Sequence, residues 1–302
     1  MMNGIYLNRN ISERSMINMS ENKDFIIENG MIKGYVGLKS GEIIIPDDVK
    51  GIEGFPPFLD IMEGEFSLTL SKNMTCSIGD LLSQEIVTLI IPESAELKFR
   101  PGEVNSNTGT AFFKKLEAIN VDLNHATMSS ENGLLYNKEK TILLCCPRAV
   151  KGKVVVAETV TEIMENAFYG CGDVTEVVLP AGITEIKERT FADCKSLKKI
   201  VIPSGVKTIQ KDAFLRCSKL TTAGLKGTGG KKGFAYEFPW TKEIPANAFC
   251  GMKSLKKVVL PETIKVIGKN AFKSCAGLVE INLPDDVKID AKAFKDCKKL
   301  MI

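Results

Sequence analysis

Residues 182–203, GITEIKERTFADCKSLKKIVIP, and residues 205–226, GVKTIQKDAFLRCSKLTTAGLK, align without a gap at a step of 23 residues. The step extends beyond them: Phe168, Phe191 and Phe214 are 23 apart, as are Pro180 and Pro203, Pro261 and Pro284, and Phe249 and Phe272. Phe294 arrives one residue early because the stretch 287–289 is one residue short. A unit of this size cannot bury its apolar face alone. A fixed period therefore means that copies stack, each supplying the core of its neighbours.

Offsets from each Phe show which way the side chains point. Three residues on stand Cys171, Cys194, Cys217, Cys275 and Cys297; six on stand Val174, Leu197, Leu220, Leu255, Leu278 and Leu300. Nine and eleven on come Val177/Leu179, Ile200/Ile202, Ala223/Leu225, Val258/Leu260 and Ile281/Leu283, the period-two alternation of a half-buried strand. Five before each Phe stands Ile163, Ile186, Ile209, Ile244, Ile267 or Ile289. Each unit thus offers a short strand ending near Pro, a second extended piece carrying the Ile, and a compact turn around Ala-Phe-x-x-Cys. Stacking places Phe on Phe, Leu on Leu and Cys on Cys.

The N-terminal half carries a weaker copy of this rhythm. Ile43-Ile44-Ile45-Pro46 and Leu89-Ile90-Ile91-Pro92 lie two periods apart, with Leu68-Thr69-Leu70-Ser71 between them, and Val154-Val155-Val156-Ala157 leads into the first regular unit. Glu28-Asn29-Gly30-Met31-Ile32 and Glu131-Asn132-Gly133-Leu134-Leu135 place Asn-Gly between apolar runs, which predicts two added hairpins. The chain divides into a polar leader, 1–24, expected to be mobile and without the apolar run of a secretory signal; degenerate repeats with hairpins, 25–157; and regular repeats, 158–302, with an insertion near 226–242. About ten turns are expected, a rod on the order of 45–50 Å long at one strand spacing per turn.

These residues resemble the BspA-type leucine-rich repeat family, whose 23-residue unit has an Ile, then Ala-Phe-x-x-Cys, then Leu-x-x-Ile-x-Ile-Pro. The resemblance is specific over 158–302 and partial over 25–157, and Phe25 to Pro46 and Asn132 to Pro147 look like opening and hairpin segments of its bacterial surface members. It implies a curved, right-handed leucine-rich repeat solenoid, mostly β with short helical or turn segments, with one parallel sheet along a face. It further implies a surface protein of a bacterium or protozoan that binds host or neighbouring-cell proteins without catalysis.

The composition agrees with a scaffold. Of 302 residues, 44% are apolar and 25% charged, which is a core-forming chain. A net charge of +3 gives no nucleic-acid footprint, and no run of 18 apolar residues marks a transmembrane helix. The one His, His125, sits in a loop-like stretch and reads as exposed and inert, lacking a nucleophile and an orienter. Nine Cys contain no Cys-x-x-Cys pair, and five share one repeat position, so they read as buried small hydrophobes rather than a metal site or disulfide framework. Cys145-Cys146 reads as a strand end. Gly227-Thr228-Gly229-Gly230-Lys231-Lys232 lacks the Ser/Thr and the spacing of a phosphate loop. No cofactor or metal is expected.

Two binding candidates remain. Residues one, two and four after the Leu position point away from the core: Thr175, Glu176, Val178; Lys198, Lys199, Val201; Thr221, Thr222; Lys256, Lys257, Val259; and Val279, Glu280, Asn282. Lys198, Lys199, Val201, Lys256, Lys257 and Val259 form a candidate docking strip for an acidic protein or a glycan. The second candidate is the insertion. Phe214 to Phe249 is 35 residues, twelve beyond the period, and Phe234, Tyr236, Phe238 and Trp240 alternate within it. Tyr and Trp are favoured interface anchors. Those aromatics equally serve to cover the solenoid flank. The chain stops as the next strand would begin, which leaves a sheet edge open to self-association. The reading is non-catalytic protein recognition or adhesion at a cell surface; the alternatives are a carbohydrate-binding module using the aromatics and a thiol-based redox or enzymatic role.

Overall fold

In the computed structural model the described residues are 24–37, 40–52, 64–81, 85–98, 113–203, 205–221, 225–227, 242–260 and 262–301. All but Asp24 of the expected leader lies outside them, as do residues 228–241 with the four aromatics of the insertion. The chain is a parallel β-solenoid of about nine turns with almost no helix. Periodicity suggested about ten. Among the described residues ten strands step along the main ladder, from Gly41–Ile44 to Glu280–Asn282, and ten strands are separated by nine intervals.

Two parallel ladders run along the rod, one more than the single sheet expected. In the main one, Phe66–Thr69 pairs with Gly41–Ile44 and Ile86–Ile91, and the latter with Ala118–Val121. Beyond a break, Gly152–Val155, Val174–Val178, Lys199–Ile202 and Leu225–Gly227 continue it, and beyond a second break Lys257–Val259 pairs with Glu280–Asn282. The second ladder consists largely of two- and three-residue strands that carry the Ile inward, such as Glu185–Ile186 with Thr208–Ile209, and Glu243–Ile244 with Val266–Ile267. Both Asn-Gly turns form antiparallel hairpins: Phe25–Glu28 with Met31–Tyr35, and Met128–Glu131 with Leu134–Asn137. Asn29 and Asn132 sit at φ 54° and 52°, followed by Gly30 and Gly133 at 78°, the paired left-handed residues of a type I′ turn.

The second hairpin divides the interior. One apolar core holds Phe25 to Leu97, Phe113 to Met128, Leu135 and Cys145; the other begins at Leu134 and Tyr136 and runs to Ala293. Adjacent residues of one strand, Leu134 and Leu135, therefore feed different cores. Tyr136 is buried at the seam, and its phenol is pushed up to about 12 by burial.

In the second core the Phe rings stack as one column. Centroids are 5.0 Å apart for Phe168–Phe191, 5.4 Å for Phe191–Phe214, 6.0 Å for Phe214–Phe249, 5.3 Å for Phe249–Phe272 and 5.4 Å for Phe272–Phe294. At these separations near-parallel rings are offset stacks, each worth about 0.5–1.5 kcal/mol beyond burial of area. The backbone keeps pace: the N–H of Phe168, Phe191, Phe214, Phe249 and Phe272 each donates to the next coil, to Thr190, Ala213, Ala248, Ala271 and Ala293.

Cys follows Phe by three residues for a reason that size alone does not supply. The thiols of Cys194, Cys217, Cys275 and Cys297 donate to the carbonyls of Phe168, Phe191, Phe249 and Phe272 at 3.0–3.1 Å. The Phe191 carbonyl accepts the Cys194 N–H of its own turn at 3.3 Å and the Cys217 thiol of the next coil at 3.0 Å, filling both lone pairs.

The turn also needs left-handed backbone twice. Two residues before the Phe, Asn166, Arg189, Asp212, Asn247 and Asn270 have φ of 53–60°; two after it, Gly170, Asp193, Arg216, Gly251, Ser274 and Asp296 have φ of 59–77°. Asn, Asp and Gly adopt this region most readily. Arg189 and Arg216 do not, and both are held by inter-coil carboxylates: Arg189 Nε lies 3.4 Å from Asp212, and Arg216 binds Asp193 through Nε and Nη2.

Candidate recognition face

The outward side of the main ladder is built by alternation: Val174, Val177, Ile200 and Ile202 are buried, while Glu176, Val178, Lys199 and Val201 face away from the core. Register then aligns the outward residues into rows along the rod. Lys153, Glu176 and Lys199 occupy one row, and Val155, Val178 and Val201 the next but one. Val155 is 49% exposed. In the N-terminal half the rows are Glu42, Ser67, Thr88 and Ala118, and Ile44, Thr69, Ile90 and Asn120, with Ile44 55% exposed.

The charges of the candidate strip are in part paired from coil to coil. Lys199 is 2.9 Å and Lys153 3.5 Å from Glu176, and Lys257 is 2.5 Å from Glu280. The hydrogen bond from Lys199, assisted by Lys153, holds the Glu176 carboxyl below its ordinary value. Lys199 and Lys257 are therefore neutralised in place, because successive coils put opposite charges at one level. Lys198 and Lys256 are exposed but are not stacked on one another, since Thr221 occupies the coil between them. The Val259 side chain lies outside the described residues. Asn282 is occupied by backbone, accepting from Leu260 N–H at 2.5 Å and donating to the Leu260 carbonyl at 2.7 Å. What remains is a flat face with a charge-compensated row beside an apolar one, suited to a partner that presents both aliphatic and mixed-charge groups.

His125 departs from the exposed, inert residue expected. It is 4% exposed rather than solvated: Nδ1 accepts the N–H groups of Thr127 and Met128 at 3.2 and 3.1 Å, so the proton resides on Nε2, 3.0 Å from the Ala95 carbonyl. The ring stitches a loop to the coil before it, and all of its nitrogen capacity is used.

The thiols offer no reactive centre of the ordinary kind. All nine are free, seven are buried, and Cys250 and Cys297 are half-buried. Burial pushes the thiols of Cys146, Cys194 and Cys217 upward, whereas contact with Cys275 draws Cys297 down. Alkylation of the native protein near neutral pH is expected to modify Cys297 first, then Cys250, and the other seven only after denaturation. Peptide mapping would check this order, and rapid native labelling of Cys194 would contradict the buried ladder.

This arrangement defines a leucine-rich repeat solenoid, a non-enzymatic architecture in its ordinary use. Residues 150–229 and 237–301 match the BspA type leucine rich repeat region in six copies, and these residues are repeats of that family. No curated protein matches the sequence. Among solved structures, a leucine-rich repeat protein from Eubacterium ventriosum is similar at 20% identity and a TM-score of 0.57, over 84% of this chain and 76% of that one. The pneumococcal vaccine antigen PcpA is 17% identical with a TM-score of 0.46, over 82% of this chain and 56% of its own. A leucine rich cell surface protein from Faecalibacterium prausnitzii is 18% identical with a TM-score of 0.44, over 96% and 95% of the two chains. These likenesses concern the fold. No helix among the described residues is long and apolar enough to cross a membrane.

Proposed function

We propose that this protein is a non-catalytic recognition scaffold that docks another protein on the outward face of its main ladder, in adhesion or host contact at a cell surface. The observation that carries the reading is the outward-facing Val155–Val178–Val201 row, with Val155 exposed and Val178 and Val201 half-buried, beside the self-neutralised Lys153–Glu176–Lys199 row. A face whose charges are already paired loses little on desolvation, and a rigid ladder loses little conformational entropy on docking. The inserted aromatics Phe234, Tyr236, Phe238 and Trp240 are proposed as a second contact. Lys198, Lys256 and the neutralised Lys199 and Lys257 would set orientation rather than bulk affinity.

The test is capture from host-cell and bacterial surface extracts with three proteins: wild type, Val155→Asp/Val178→Asp/Val201→Asp, and Tyr236→Ala/Trp240→Ala. Loss of one specific partner by the valine variant, with its circular dichroism unchanged, is the expected result. Retention by that variant and loss by the aromatic one would move the site to the insertion; absence of any specific partner would overturn the proposal.

A further inference from the structure

Sulfur recurs in this core as regularly as Phe. Cys171, Cys194, Cys217, Met252, Cys275 and Cys297 each stand three residues after a Phe of the column and belong to the same apolar core. At Cys275 and Cys297 the two thiols are in hydrogen-bonding contact from one coil to the next. Backbone bonds hold those coils together just before the pair: Phe272 N–H donates to the Ala293 carbonyl at 2.9 Å and Ser274 N–H to the Lys295 carbonyl at 2.8 Å. Cys146 and Cys171 touch in the same way, but neither has any exposed surface. Cys275 also has none, whereas Cys297 is half-buried. Thiol contact and access from solvent therefore coincide at Cys275–Cys297.

The site accommodates a bond between the two sulfurs. A disulfide needs Cα atoms about 4.4–6.8 Å apart, and coils one strand spacing apart, about 4.8 Å, fall in that range. Each thiol gives up one hydrogen bond on joining the other, Cys275 to the Phe249 carbonyl at 3.1 Å and Cys297 to the Phe272 carbonyl at 3.0 Å. Neither carbonyl is stranded. Phe249 still accepts the Met252 N–H at 3.3 Å, and Phe272 still accepts the Cys275 N–H at 3.1 Å. The contact that draws the Cys297 thiol down also raises its thiolate fraction, and the thiolate is the nucleophile. Cys250, the other half-buried thiol, follows its Phe directly rather than by three residues, and burial pushes it up.

We propose that Cys275 and Cys297 are a reversible redox pair, in which Cys297 is the site oxidised by a hydroperoxide and Cys275 is the resolving thiol. The Cys297 thiolate attacks one peroxide oxygen: an S–O bond forms, the O–O bond breaks, and the departing oxygen takes a proton and leaves as water or an alcohol. Cys275 then attacks the sulfenic sulfur of Cys297. An S–S bond forms, the S–O bond breaks, and the hydroxide leaves as water with the proton of Cys275. The two thiols lose two electrons and the peroxide gains them. A dithiol reductant reverses the change by thiol–disulfide exchange. Oxidation thus ties the coil of Phe294 covalently to the coil of Phe272. The pair lies in the interior, away from the recognition face, and does not depend on it.

The test is treatment of the reduced, full chain with hydrogen peroxide near neutral pH, followed by non-reducing peptide mapping. Wild type should gain one intramolecular link, between the peptides of Cys275 and Cys297, that dithiothreitol removes. Native alkylation of Cys297 should disappear with the link while that of Cys250 persists. Cys275→Ser lacks the resolving thiol and should hold Cys297 as sulfenic acid, trapped by dimedone at least about tenfold more than in wild type. Cys250→Ser should form the link as wild type does. The wild-type map decides the matter even where Cys275→Ser fails to fold. A link from Cys297 to Cys250 or to a second molecule, irreversible oxidation of Cys297 with Cys275 still a free thiol, or no link at all would each overturn the proposal.

Discussion

Phe214→Ala should destabilise the protein by about 3–5 kcal/mol, the range for emptying a fully buried aromatic site. Phe214 has no exposed surface and lies between Phe191 at 5.4 Å and Phe249 at 6.0 Å. Truncation therefore opens two ring contacts and a void that cannot collapse, because inter-coil hydrogen bonds from Phe214 and Arg216 to Ala248 and Cys250 fix the spacing of the coils on that side. Urea unfolding followed by circular dichroism reads the loss. The internal control is Phe294→Ala. Phe294 is only partly buried and stacks on one side, against Phe272, so its truncation should cost less than half as much. Equal costs would mean that the column is not the element that binds neighbouring coils.

His125→Leu is the second large effect. It leaves the N–H groups of Thr127 and Met128 and the Ala95 carbonyl without their ring partner, and such groups cost about 1–3 kcal/mol each when stranded away from water. A total loss of about 2–5 kcal/mol is expected, since water entering beside the loop repairs part of the damage. Thermal unfolding measures it, and a nitrogen-15 spectrum of the wild-type ring should show the proton on Nε2. A wild-type ring protonated on Nδ1, or a neutral substitution, would show that the loop is held by other contacts.

The two residues show what could be read in advance and what could not. Phe214 was legible because a period repeated six times reports stacking directly, as did the Asn-Gly pairs at 29–30 and 132–133, whose left-handed backbone is a local property of two residues. His125 was not legible: its burial depends on a carbonyl 30 residues away, and nothing in Asn124-His125-Ala126 announces Ala95. The charge pairing within the candidate strip on the main ladder was not legible for a related reason. Lys199 looked like one of a basic pair in its own coil, yet its partner, Glu176, is one period back, so charge had to be read down the rod rather than along the chain. The left-handed sites two residues either side of the Phe were visible as Asn, Asp and Gly in most coils, but Arg189 and Arg216 obscured the pattern, and their tolerance there rests on Asp212 and Asp193 in adjacent coils.

The widest step in the Phe column, 6.0 Å between Phe214 and Phe249, falls where the chain carries twelve residues beyond the period. The rings stay within 4° of parallel across it, and the turn hydrogen bonds continue uninterrupted. Among the described residues neither ladder pairs across this step, so the Phe column and the turn carry the stack over it. A tether of n residues adds closure entropy only logarithmically, about 0.6 kcal/mol per doubling. The junction after Lys226 is accordingly a natural grafting point: a foreign peptide spliced there would be flanked by coils that the turn and the Phe column hold together.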